Sequence, residues 1–594
     1  MSAVNERIAL LRAEMKSQGI DAYIIPSSDE HQSEYVSDRG QVRTWISGFD
    51  GSAGTLVITA DHAGLWTDNR YFIQAETQLA NSECELHKIQ KRALPEHVLW
   101  LARNLDFGQK VACNGMLFSL GQIEQYRKIL STQKIHLDTG IDLVPAIWHD
   151  RPTKPQSKIY DHVIQYAGKS RVDKINDLRE KFVGITDSYF VTALDDIAWL
   201  TNLRAQDVDY NPVFYAYAIV KKDGFTLYVD QSKLTTELIR QLNDDGIELT
   251  EYDALIGDLN SMDSTESIMV CKSDISNSAY KAVNGKVVFG DNHIRNAKGI
   301  KNDTEIGHVR NAMAKDGAAL TRTFMWLEEN LTKRTVKETE VRDKLAEYRS
   351  QQDGYVCESF GAIVGYKGNG AIVHYSPEKA TCADIGNDGV LLVDSGGQYL
   401  DGTTDITRTF HTGTPTKEEK MAFTMVLKGY IALDKAKYPR GTKGIQLDTM
   451  ARMFLWEQGL DYGHGTGHGV GFFLNVHEAP QGIASGLGVR TKTPFEAGMI
   501  TSNEPGFYKA GAFGIRIENL ILTVKDETTP YGEFLSHETL SLYPIEIKLI
   551  EETLMNAREK AWFNRYHQEV YKRVSPLLNE AENKWLSMKC RPLN

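Results

Sequence analysis

The sequence predicts a mixed α/β and α+β chain of three domains, and three observations lead there. At 594 residues the chain is too long for one hydrophobic core. A pattern of helix, apolar strand, acidic turn and Trp-centred segment occurs twice in its first half, as duplicated domains of related fold would give. Beyond it, glycine-rich strands alternate with helices.

The first domain is expected over 1–153. It opens with apolar residues at helical spacing, followed by the apolar strand DAYIIP. WISGFDGSAGTLVITADHAGLWTDNRYF then reads as short strands broken by glycine turns. The polar stretch Arg151 to Ser157 (RPTKPQS) reads as a linker. The second domain, 158–300, starts the pattern again with NDLREKFVGITDSYFVTALDDIAWLTNLRA. Polar residues from Asn296 to Asp303 mark the next boundary, and a long helix follows with Asp303 or Thr304 as its cap. The third domain is expected over 303–594. Its charged helical tail carries Trp562, Phe563, Tyr566 and Trp585, read as core packing or an oligomer contact.

Composition excludes several classes. With 41% hydrophobic and 25% charged residues the chain reads as soluble and globular. A net charge of −12 argues against a nucleic-acid partner, and no basic block offers itself to anionic lipid. The N-terminal segment lacks the apolar core of a signal peptide, and no run is long enough to span a membrane. Cys84, Cys113, Cys271, Cys357, Cys382 and Cys590 are scattered without a CxxC pair. Reduced, mostly buried thiols are expected, which fits the cytoplasm.

The chemistry lies in the third region. VLLVDSGGQYLDGTTDITRTF reads as strands joined by tight turns, with Asp394 ending an apolar run and Asp405 in the return strand. A carboxylate ending an apolar run is costly unless something positive compensates it. Asp401 before Gly402 reads as a turn former. FGIRIENLILTV reads as one alternating strand with Arg516 and Glu518 on one face, a pattern a solvated edge also gives. Glu504 ends a strand where Pro505-Gly506 turns the chain. In GHGTGHGVGFFLNVHE, His464 and His468 are four apart, but the glycines between and around them disfavour a helix. Neither HExxH nor a P-loop is present; the glycines instead let backbone pass close to a site while histidines point in. Four carboxylates and one imidazole form a hard, oxygen-rich set with charge for two divalent cations, manganese, cobalt or zinc, and unlike a structural zinc site.

At these residues the sequence resembles the metal-dependent pita-bread peptidases, among them methionine aminopeptidase, prolidase and aminopeptidase P. The matching pieces are the Asp of LLVDSG, the Asp of GTTDITRT, the His of GHGTGHG, the Glu of NEPGFY and the Glu of GIRIEN, in the family's order. DAYIIPSSDEHQSEYV, SGFDGSAGT and LWTDNRYF resemble the first domain of the long, three-domain Xaa-Pro aminopeptidase family, and ALDDIAWLTNLRAQDVDYNPVF its second. LSLYPIEIKLI followed by WFNRYH resembles its C-terminal extension. The resemblance implies two creatinase/prolidase-like α/β domains before a pita-bread catalytic domain. It also implies removal of an N-terminal residue preceding proline, by a hydroxide bridging two metals.

By the same resemblance Asp394 binds one metal, Asp405 and Glu518 bridge, and His468 and Glu504 bind the second. Glu504 is also the general base. His374 and His477 hydrogen-bond the substrate carbonyl and its intermediate. His464, Phe360, Tyr508 and Arg516 line the prolyl pocket or brace the metal ligands. Two divalent ions are implied, manganese first with zinc or cobalt as alternatives, together with peptide substrates having proline second, a homodimer and a cytoplasmic location. Prolidase shares the ligands but has a shorter N-terminal region. Non-catalytic pita-bread binding modules have lost ligands that stand here.

Overall fold

The computed structural model describes residues 2–91 and 94–594, which form two compact units. One comprises residues 1–164 and 169–294, the other 165–168 and 295–594.

The first unit holds two six-stranded sheets. In the first, β1 (Ala22–Ile25), β2 (Thr55–Thr59), β3 (Ala63–Thr67), β4 (Glu85–Lys88), β5 (Lys110–Ala112) and β6 (His136–Asp138) take the order β4-β3-β2-β1-β5-β6. In the second, β7 (Ser188–Val191), β8 (Ala216–Lys221), β9 (Phe225–Val229), β10 (Glu248–Thr250), β11 (Ser267–Val270) and β12 (Lys286–Phe289) take the order β10-β9-β8-β7-β11-β12. The orders are the same, and so is the direction of every pairing. The first three strands of each sheet run antiparallel and the remaining joins are parallel. The duplication expected from the repeated pattern is therefore present in the fold. Central strands are buried on both faces, β1 and β7 throughout, because helices cover the sheets on both sides.

The long helix of the second unit spans Asp303–Leu331. Its cap is Asn302, not Asp303 or Thr304: the Asn302 side chain accepts from the Glu305 N–H, and Glu305 reaches back to the Asn302 N–H. Three strands, β13 (Ile363–Tyr366), β14 (Val390–Ser395) and β15 (Ile406–His411), form one antiparallel sheet. A second sheet contains β16 (Tyr438–Pro439), β17 (Gly467–Gly469), β18 (Glu478–Ile483) and β19 (Ile500–Asn503). A hairpin, β20 (Gly506–Lys509) and β21 (Phe513–Arg516), leads to β22 (Asn519–Thr529) and β23 (Gly532–Thr539), which complete that second sheet.

FGIRIENLILTV is thus two strands rather than one. β21 pairs with β20 and β22 with β19, and the chain changes partner at Ile517 and Glu518. Arg516 and Glu518 are both buried, which overturns the solvated-edge alternative. The tail aromatics are core. Trp562, Phe563 and Tyr566 belong to the main hydrophobic cluster, and Arg408 links Tyr566 to the site by donating to the Tyr566 hydroxyl and the Glu518 carbonyl, both at 2.7 Å. All six cysteines are free, but only Cys84 and Cys113 are fully buried; the other four are half-buried.

Candidate metal centre

Two sheets and one break between strands supply the candidate ligands. In β14 and β15 Asp394 lies opposite Thr407, so the end of one strand meets the start of the next. Asp405 immediately precedes β15, one residue outside the expected return strand. Glu504 follows β19, and Glu518 occupies the change of partner between β21 and β22. His468 is central in β17. A Cβ at Gly467 would lie 1.9 Å from the Ser502 carbonyl oxygen, and one at Gly469 2.4 Å from that of Glu478. Only glycine permits this approach, and it brings the His468 ring to the carboxylates.

The groups converge. Asp405, His468 and Glu518 each offer a ligand atom within 4.8 Å of the others. His468 Nε2 lies 3.5 Å from Asp405 Oδ2 and 3.5 Å from Glu504 Oε1. Its Nδ1 faces the Gly469 carbonyl at 3.0 Å. A carbonyl only accepts, so in the neutral ring Nδ1 carries the proton and Nε2 presents its lone pair to the carboxylates. Asp394 Oδ2 accepts from Arg516 Nη2 at 2.6 Å, the positive partner that a carboxylate ending an apolar strand requires.

Charge in this cluster is unbalanced. Burial and the charges of Glu518, Asp394 and Glu504 push the Asp405 carboxyl well above its ordinary range. Burial, Asp394 and Glu504 do the same to Glu518. Burial raises Glu504 to about 7, with Arg516, His477 and Ser502 opposing. Asp394 Oδ1 is buried without a hydrogen-bond partner. An orphaned carboxylate oxygen, an imidazole lone pair aimed inward and an excess of buried negative charge fit divalent cations.

Other expected residues surround the cluster. His477 packs edge-on against His468, ring centroids 4.3 Å apart. Arg516 Nη1 donates to the Tyr508 hydroxyl at 2.6 Å, and that hydroxyl meets His464 Nε2 at 2.8 Å. His374 follows Val373, whose carbonyl accepts from Arg516 Nη2 at 3.4 Å. Phe360, half-buried, follows Ser359, which donates to the Thr404 carbonyl beside Asp405. Asp401 sits in a turn, paired with Lys315 at 2.8 Å.

Two residues escaped the sequence reading. Thr407 Oγ1 donates to Glu518 Oε2 at 2.6 Å and accepts from Arg516 Nε at 3.1 Å. Ser502 Oγ accepts from the His468 N–H at 3.0 Å and donates to Glu504 Oε1 at 3.2 Å. Each stands two residues from a candidate ligand, Asp405 or Glu504, so period-two alternation of extended backbone was the available signal.

A pita-bread catalytic unit with this buried donor set defines the class of a metallopeptidase. The profile of metallopeptidase family M24 matches residues 307–525, and that of the C-terminal region of the same peptidases matches 533–593. Two profiles of the creatinase/prolidase N-terminal domain match 7–143 and 150–305. A Laccaria bicolor protein named probable Xaa-Pro aminopeptidase P is 43% identical, covering 99% of this chain and 93% of its own. Arabidopsis thaliana Aminopeptidase P2 is 42% identical over 99% of this chain and 89% of its own. The crystal structure of the X-prolyl aminopeptidase of Caenorhabditis elegans, described as a cytosolic enzyme with a di-nuclear active site, superposes with a TM-score of 0.94 at 33% identity over the whole of both chains. The chain belongs to metallopeptidase family M24.

Proposed function

We propose that this protein is an Xaa-Pro aminopeptidase, hydrolysing the bond between an N-terminal residue and a following proline. One observation carries the reading: Asp394, Asp405, His468, Glu504 and Glu518 gather where buried carboxylates outnumber their one cationic partner, Arg516, in a chain similar over its length to such peptidases. Asp394 would hold one metal, His468 and Glu504 the other, and Asp405 and Glu518 both. Two divalent cations there would lower the pKa of a shared water and polarise the scissile carbonyl.

The side chains do the rest. The Glu504 carboxylate takes the proton of the attacking water and passes it to the departing prolyl nitrogen. His374 and His477 donate to the carbonyl oxygen as charge gathers on it. His464, Tyr508 and Phe360 shape an aromatic pocket for the ring, needing no donor from the substrate because the Xaa-Pro amide has no N–H. The donors of Arg516 are engaged by Asp394, Tyr508, Thr407 and Val373, so Arg516 braces the ligands instead of meeting substrate. Manganese as the resident ion, a homodimer and a cytoplasmic location complete the reading.

Chelation followed by manganese add-back, assayed on an Xaa-Pro-Pro peptide, is expected to abolish and then restore hydrolysis, with Glu504→Gln inactive throughout. Full activity of Glu504→Gln removes the assigned base. Activity on Xaa-Pro dipeptides alone makes the chain a dipeptidase. No bound metal and no gain on add-back restores the non-catalytic alternative.

A further inference from the structure

A second group of metal-ligating side chains lies in the first unit, far along the sequence from the carboxylate cluster. His62 immediately precedes β3, and Glu85 and His87 are on β4, the edge strand paired with it. Glu85 and His87 are two residues apart, so both project from the same face of that edge. His62 Nε2 and His87 Nε2 are 3.1 Å apart, and one ligand atom from each of the three residues falls within 4.8 Å of the others. Two nitrogens bound to one tetrahedral zinc at about 2.0–2.1 Å stand about 3.3 Å from each other. The pair is therefore already at ligand spacing.

The surroundings hold this geometry. The His87 ring stacks on Trp66, centroids 3.9 Å apart and planes within 10°. Trp100 lies against His62 at 4.5 Å. The His62 backbone is pinned by its N–H to Thr59 Oγ1 at 3.0 Å. A Cβ on Gly64 would stand 2.6 Å from His62 Nε2 and 2.6 Å from the Trp66 ring, so glycine leaves the hollow in which the two nitrogens meet. Glu85 is exposed, which leaves the approach from solvent open. Indoles that fix imidazole orientation do the work outer hydrogen bonds do at many metal sites.

We propose that His62, Glu85 and His87 form a metal site on the edge of the first sheet that takes one zinc ion. Two imidazoles and one carboxylate are a borderline donor set, suited to zinc and unlike the carboxylate-rich centre. Solvent completes the coordination. The ion ties the turn before β3 to the outermost strand of the sheet. The alternative is a plain hydrogen bond between two neutral histidines.

The test is equilibrium dialysis of the full chain against buffered ZnCl2, with zinc counted per chain by elemental analysis. Wild type is expected to hold one zinc more than His62→Ala/His87→Ala at the same free zinc. The double variant is expected to keep wild-type peptidase activity after manganese reloading, which shows that it folds. Equal zinc counts overturn the site. Should the double variant fail to fold, Glu85→Gln, an exposed change, decides: at least a tenfold weaker affinity for the additional zinc supports the site, and an unchanged titration overturns it.

Discussion

Arg516 stands among four carboxylates, and the hydroxyl of Thr407 links it to Glu518. Thr407→Val keeps the shape and removes that hydroxyl, leaving Glu518 Oε2 without its donor at 2.6 Å. Loss of an outer partner of this kind weakens metal affinity about 10–100-fold. Chelator competition on Thr407→Val is expected to show that loss, and unchanged affinity removes Thr407 from the assembly of the site. Asp394 and Glu504 were legible because a carboxylate at the end of an apolar strand demands an explanation. Thr407 and Ser502 were not, because a hydroxyl in a strand is ordinary and its bond is made to a residue distant in sequence. The role of Arg516 was half legible: alternation placed it beside Glu518, but not its engagement with Asp394, Tyr508 and Thr407.

Among the elements, β17 shows how closely backbone must pack for one imidazole to arrive. Gly467→Ala drives a methyl into the Ser502 carbonyl at 1.9 Å, so β17 must separate from β19 and carry His468 away. Gly486→Ala meets nothing within 4 Å and serves as the control. Peptidase assays and metal counts are expected to fall for Gly467→Ala and to stay level for Gly486→Ala; a fully active Gly467→Ala chain contradicts this account of the glycines. The glycine run correctly signalled close approach, while the partner it approaches depends on tertiary pairing. The same limit explains β21 and β22. Period two describes both halves of FGIRIENLILTV equally well and cannot register that each half pairs elsewhere.

For the molecule as a whole, the cluster makes stability depend on its cations. Glu504 rises to about 7 on folding from an ordinary 4.5, and Asp405 and Glu518 shift the same way. A carboxyl raised on folding contributes stability that is present below its unfolded pKa and lost as pH rises through the folded one. Between about pH 4.5 and pH 7 the metal-free chain therefore loses this contribution, whereas bound cations favour the ionised carboxylates. Thermal unfolding with chelator and with manganese is expected to show a gap in Tm that widens from about pH 5 to about pH 8. A gap constant with pH assigns the metal's effect to other groups. The duplicated sheet was legible at this scale because a repeated helix, strand and acidic turn survive divergence of the side chains between them.

The catalytic unit includes Gln165–Gly168, more than a hundred residues before the rest of it. The Ala167 carbonyl accepts from Asn302 Nδ2 at 3.0 Å, the Gln165 carbonyl meets His308 Nε2 at 2.8 Å, and Tyr166 packs against the main hydrophobic cluster. Four residues thus act as a clasp over the N-cap of the helix Asp303–Leu331. For protein engineering, a single crossover at residue 295 would join a catalytic half to a foreign N-terminal half and leave its own clasp behind. A chimera that keeps its catalytic half whole has to transplant residues 165–168 with it, as a graft inside the new partner.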